Sequence, residues 1–121
     1  MFGQASNSIP VRTAAAVTVL SYATLGQVQT PNAVAQFFVL TVAARTAGSI
    51  TAQLQGSNDG VTYTDAGNQY DLSVSANGQR YIALNGPLPP YLRVALTPAG
   101  GFDGTVAVDY YSSSGPLPSV L

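Results

Sequence analysis

The residues of this 121-residue chain with the most scope for chemistry are five aspartates, four arginines and seven tyrosines, in a sequence without His, Cys, Trp, Lys or Glu. A serine nucleophile would have no imidazole base, and there is no thiolate, Schiff-base lysine or cysteine-based zinc site. Paired carboxylates can cleave glycosidic bonds, but Asp59, Asp65, Asp71, Asp103 and Asp109 stand singly along the chain. An Asp-dependent hydrolase is therefore the least supported reading. No catalytic residue, metal site or cofactor site is expected, and the chain is not expected to be an enzyme.

Three strings invite a functional reading and have a plainer one. In QGSNDGVTYTD, Gln55 to Asp65, the oxygens of Asn58, Asp59 and Asp65 could ligate calcium. An EF-hand loop needs more carboxylates and a closing glutamate, so a tight turn leading into a return strand is favoured. Gly100-Gly101-Phe102-Asp103-Gly104 would cradle phosphate only between a strand and a helix. The alternating TVAVDYY that follows predicts a hairpin loop instead. Asn85 to Pro90, NGPLPP, reads as a rigid connection. Tyr63, Tyr70, Tyr81, Tyr91, Tyr110 and Tyr111 could stack sugars or contact a partner, although strand packing explains any one of them. Tyr81, Tyr91 and Tyr111 are expected to be exposed, since they lie opposite the Leu and Val positions assigned to the core.

The elements that carry these residues read as strands. Ile50, Ala52 and Leu54 alternate with polar neighbours, as do Tyr70, Leu72, Val74 and Ala76, then Leu92, Val94 and Leu96, then Val106, Val108 and Tyr110. A period of two is the mark of a half-buried strand. Weaker strand candidates are Val11 to Leu20 and Arg80 to Leu84. Ala33 to Ala44 follows a helix-cap-like Thr30-Pro31, yet Phe37, Phe38, Val39, Thr41 and Val42 favour a strand covered on both faces. Gly48, Asn58 to Gly60, Asn77-Gly78, Asn85 to Pro87 and Gly100-Gly101 punctuate the pattern. About seven or eight short strands at this spacing predict a single all-β domain, an antiparallel β-sandwich or jelly roll. The domain is expected over residues 11–111, with an N-terminal arm at 1–10 and a C-terminal tail at 112–121. Phe2, Ile9, Leu117, Val120 and Leu121, isolated hydrophobes near the ends, are candidate subunit contacts.

Composition narrows the partners. Charged residues make up 7% of the chain and the formal charge is −1, against about 25% charged residues in an ordinary domain. The scattered Arg12, Arg45, Arg80 and Arg93 form no basic run, so no nucleic-acid partner is expected. No apolar run reaches the roughly 18 residues of a membrane-spanning helix, and the opening MFGQASNSIP lacks a basic signal-peptide start. Ser, Thr, Asn and Gln account for 36 residues, so the surface is mostly neutral hydroxyl and amide. Near-neutral small domains tend to associate, which suits a protein that packs against copies of itself or another subunit.

The segment FFVLTVAARTAGSITAQLQGSNDGVTYTDAG, Phe37 to Gly67, with PYLRVALTPAGGFDGTVAVDYY, Pro90 to Tyr111, resembles small β-sandwich virion proteins of tailed bacteriophages. The resemblance implies a capsid decoration, or cement, protein on the outer surface of the shell. Its partners would be copies of itself, as a trimer or other homo-oligomer, and a major capsid protein. A second resemblance, to discoidin-like carbohydrate-binding modules, rests on the SNDG hairpin and an aromatic-Val-Arg strand. It implies glycan attachment at a virion or cell surface, but Tyr63 stands where such modules usually carry Trp.

Overall fold

The computed structural model describes residues 6–27, 35–84 and 88–113. The fold is all-β. Its strands are β1 (Ser6–Ala16), β2 (Ser21–Gln27), β3 (Ala35–Ser57), β4 (Thr64–Asp65), β5 (Leu72–Val74), β6 (Gly78–Ala83) and β7 (Tyr91–Ser113), with a 3₁₀ turn at Asn68–Tyr70. All seven join one antiparallel sheet whose centre is the pair β3 and β7, each 23 residues long.

Those two strands are paired along nearly their whole length, from Ala35 opposite Ser113 to Ser57 opposite Tyr91. β1 and then β2 run along the outer side of β7. β4, β5 and β6 run back along the outer side of β3. The sheet is therefore four double-length ribbons wide, and each ribbon is bent or broken at mid-length. One layer holds β1, the second half of β7, the first half of β3 and β6. The other holds β2, the first half of β7, the second half of β3, β4 and β5.

The reason for the bend lies in the side chains. Phe38, Leu40 and Val42 of the first layer and Ile50, Ala52 and Leu54 of the second point to one side of β3 and are buried, as are Leu92, Val94, Leu96, Val106, Val108 and Tyr110 of β7. All belong to a single apolar cluster. A flat sheet would leave that face in water, at a cost of about 25 cal/mol per Å² of apolar area. Folding the sheet over on itself makes each half the cover of the other, which is a sandwich built from one sheet.

Two offset bulges make the corner. Between Ala43–Thr105 and Ala47–Asp103, β3 carries the extra residues Ala44, Arg45 and Thr46 opposite Gly104. Between Ala47–Asp103 and Ser49–Ala99, β7 carries Gly100, Gly101 and Phe102 opposite Gly48. A glycine thus faces each bulge from the other strand. A Cβ on Gly48 would lie 2.5 Å from the Ala99 carbonyl oxygen and from the Phe102 N and Cα, and one on Gly104 would lie 3.0 Å from the Arg45 Cα. Ala44, Gly48, Gly100 and Gly101 all have positive φ, and such bulges bend a strand and increase its twist. Polar bonds lock the turn: Arg45 Nε donates to the Gly48 carbonyl at 2.7 Å, the Arg45 amide to Asn77 Oδ1 at 2.8 Å, and Thr46 Oγ1 to Asp103 Oδ2 at 2.9 Å.

Several expectations change here. Gly100 to Gly104 is no hairpin loop: β7 passes through it, because the glycines shape a bend between layers rather than a reversal. Gly48 likewise lies inside β3 and ends no strand. The stretch at Ala33 to Ala44 is a strand where described, the first half of β3. Tyr70 sits in the 3₁₀ turn and Ala76 is exposed, so that segment contributes only the three residues of β5. Residues 6–10 and 112–113, assigned to arm and tail from sequence, are paired in β1 and β7.

The corner makes a sharp contrast testable by urea denaturation. Gly48→Ala, which needs both a left-handed alanine and movement of backbone atoms, is expected to cost about 3 kcal/mol. Gly101→Ala has nothing within 4 Å of the new Cβ and is expected to cost about 1 kcal/mol from φ alone. Equal losses would show that the backbone approach at Gly48 does not set the corner.

Candidate functional site

With the inner face committed to the core, any site must be sought on the outer faces and the loops. Alternation along the strands places two different constellations on the two outer faces.

On the second layer, cross-strand register brings Thr24, Arg93, Gln55 and Asp65 into one row. Arg93 Nε donates to Gln55 Oε1 at 2.8 Å, and Gln55 Nε2 donates to Asp65 Oδ1 at 3.0 Å. The guanidinium carbon lies 3.8 Å from the centroid of the Tyr22 ring and 4.1 Å from that of Tyr63. The cation thus packs against two rings, Tyr22 from β2 and Tyr63 from the segment before β4. Cation–π attraction of this kind contributes about 0.5–1 kcal/mol per ring at accessible sites. The arrangement anchors a planar cation on the outer sheet face.

On the first layer, Phe37 stacks on Tyr111 with centroids 5.3 Å apart and meets Tyr81 edge-on at 5.7 Å. Phe37 and Tyr111 face each other across β3 and β7, and Tyr81 lies opposite Val39 on β6. Tyr81 is 62% exposed, whereas Phe37 and Tyr111 are half-buried. Ile9 of β1 is paired with Tyr110 and so shares the inner side of the sheet, at its edge, where it is 38% exposed.

The loop after β3 is built around two oxygens. Ser57 Oγ accepts from the Asp59 and Gly60 amides at 3.2 and 2.9 Å and donates to Asp59 Oδ1 at 2.8 Å. Asp59 Oδ1 also accepts from the Val61 and Thr62 amides at 2.8 and 3.0 Å. The Thr62 and Val61 amides and the Ser57 hydroxyl all favour the ionised carboxylate, which lowers its pKa from 3.8 to about 2. The Asp59 carboxylate thus serves its own loop. Asp65 is bonded to Gln55 instead, so the three oxygens weighed as calcium ligands do not converge. Among the described residues no group of three or more acidic or His side chains is placed to hold a metal. A groove of about 290 Å³ beside this loop is lined by residues 56–59, with Thr62, Thr64 and Pro89; Asn58 and Asp59 border it and Asp65 does not.

Of the residues singled out by sequence, Tyr81 is exposed as expected. Tyr91 and Tyr111 are half-buried: Gly60 packs over the Tyr91 ring, and Phe37 covers Tyr111. Alternation identifies the outer side of a strand but not which outer rings cover one another. Ile9 belongs to β1 rather than to an arm, while Phe2, Leu117, Val120 and Leu121 lie outside the described residues. The Tyr22–Arg93–Tyr63 stack is not apparent from sequence, because its members are far apart in the chain and only strand pairing brings them together. No protein-family model matches the chain, and no curated protein matches it.

The folded pKa of Asp59 lies below its unfolded value, so its bonds stabilise the loop above about pH 4, and that contribution is lost as pH falls towards 2. Amide shifts of Val61 and Thr62 followed by NMR are expected to titrate with a midpoint near 2, and a midpoint at the ordinary 3.8 would remove the carboxylate from its role in the loop.

Proposed function

We propose that this chain is a structural virion protein, a capsid decoration protein that binds the outer shell and stabilises contacts between capsomers. The observation that carries the reading is the aromatic face of the first layer. Phe37, Tyr81 and Tyr111 present a semi-exposed cluster close to the margin where Ser6, Ser113 and Ala35 lie side by side. The ends of the described chain therefore leave the sheet next to this face. Phe2, before Ser6 in the sequence, and Leu117, Val120 and Leu121, after Ser113, are the proposed further contacts, with Ile9 on β1.

The chemistry fits association rather than turnover. An aromatic side chain buries about 150–250 Å² when covered, and tyrosine keeps a hydroxyl for a polar partner. A surface dominated by uncharged hydroxyls and amides limits the desolvation cost of packing subunits together, because removing a charge from water costs far more than removing a hydroxyl that finds a partner. The resemblance of Phe37 to Gly67 and of Pro90 to Tyr111 to phage virion proteins supports the same class. Copies of this chain and a major capsid protein are the proposed partners, and the virion surface the proposed location.

Quantitative mass spectrometry of purified phage particles from the source that encodes the chain is expected to find it in a fixed, high ratio to the major capsid protein. Tyr81→Ser is expected to lower that ratio while costing about 1 kcal/mol or less of folding stability, as suits a largely exposed ring. Absence of the chain from particles would overturn the reading. Saturable binding to a neutral glycan array would favour the carbohydrate-binding alternative.

A further inference from the structure

We propose that the Tyr22–Arg93–Tyr63 stack is a carboxylate-binding site that takes an acidic side chain of a partner protein. The guanidinium carbon lies over both rings, 3.8 and 4.1 Å from their centroids, so the rings hold the cation in place and narrow the directions from which a ligand can reach it. Nε is committed to Gln55. Among the described residues that is the one hydrogen bond of the guanidinium, which leaves the Nη1 and Nη2 donors uncommitted. An arginine fork with its orientation fixed and its donors free matches the two oxygens of a flat carboxylate, and the bidentate pair is among the strongest polar contacts available to a protein.

Among the described residues no carboxylate is bonded to this cation. Asp65, in the same cross-strand row, is kept from direct contact with Arg93 by the Gln55 amide, which bonds one to the other. Gln55 spends its amide nitrogen on Asp65 and its carbonyl on Arg93, so it orients the fork rather than neutralising it. The flanking rings displace part of the water around the guanidinium and so strengthen a contact that would contribute little in the open.

The sheet face around the fork carries Thr24 beside Arg93, and Gln53 and Thr51 further along β3, with Asp65 tied to Gln55 on the far side. A hydrogen-bonding face with one oriented cation suits a protein surface bearing a single Asp or Glu. The assignment of the carboxylate to a partner protein rests on the assembly reading above; the chemistry of the fork does not.

The test uses the whole chain and acetate as probe. Titration is expected to shift the Arg93 Nε–H resonance and the Tyr22 and Tyr63 ring signals saturably. Arg93→Lys keeps the charge but loses the fork and is expected to weaken the response about fivefold or more. Gln55→Leu, which releases Nε, is expected to weaken it by a smaller factor; amide spectra establish that each variant is folded. No saturable response, an undiminished one in Arg93→Lys, or an equal response to inorganic phosphate would overturn the site. Tighter binding of 3′-sialyllactose than of acetate, by about tenfold, would overturn the protein partner in favour of an acidic glycan. On particles, Arg93→Lys is expected to reduce the bound copy number, and full occupancy would overturn the partner assignment. If even the unaltered chain is absent from particles, the assembly reading and the protein-partner assignment fail with it, while the acetate titration still decides the fork.

Discussion

The corner of the β3–β7 pair is the constraint on which the structure depends. Two strands of 23 residues can stay paired and still fold over only if each gains length where it lies on the outside of the bend. The chain meets this with a three-residue bulge on each strand, set one after the other, and with Gly104 and Gly48 where the opposing bulge comes closest. The two insertions cancel, so the register beyond the corner matches the register before it; had one strand carried both, the pairing would have slipped and left residues at the strand ends without partners. Because the two insertions compensate, Phe38, Leu40 and Val42 meet the same core as Ile50, Ala52 and Leu54.

The corner also determines the outer faces. Once the inner side of every strand is apolar, the outer residues are left to interact laterally across the sheet. On one layer this gives the aromatic row of Phe37, Tyr81 and Tyr111, and on the other the polar row of Arg93, Gln55 and Asp65. The scarcity of charge acquires a structural meaning here. The four arginines are used mainly as multi-donor hydrogen-bond groups directed at uncharged oxygens: Arg12 at the Val106 and Ala16 carbonyls, Arg45 at Gly48, Arg80 at Gln79, and Arg93 at Gln55. A guanidinium has five donors in a fixed plane, so it can bridge β-strand irregularities that a lysine could not. Arg12, which bonds across to β7 and back to the end of β1, shows this where the β1 register shifts.

Much of the core was legible in the chain. The alternation of Ile50, Ala52 and Leu54, of Leu92, Val94 and Leu96, and of Val106, Val108 and Tyr110 identifies buried positions because a period of two leaves few other ways to hide those side chains. The β-branched and aromatic run at Phe37 to Val42 identifies a strand, but its outer face is only partly covered: Val39 is buried beside Tyr81, whereas Phe37 and Thr41 are half-buried. The glycine clusters misled for a physical reason. Gly48 and Gly100-Gly101 supply positive φ, and the same backbone state serves a hairpin reversal or a bulge within a continuing strand. Which one forms depends on whether the partner strand has a matching irregularity, information that sits more than fifty residues away.

Periodicity and composition, each readable within a few residues of any position, are enough for the fold class, the inner face of each long strand and the poverty of charge. It takes the folded chain to run two strands unbroken through both layers, to cover Tyr111 more than Tyr81, and to bring Tyr22 and Tyr63 against Arg93. Those outcomes depend on cross-strand register, which is set by the balance of bulges around one corner. No local window of the chain contains both sides of that balance.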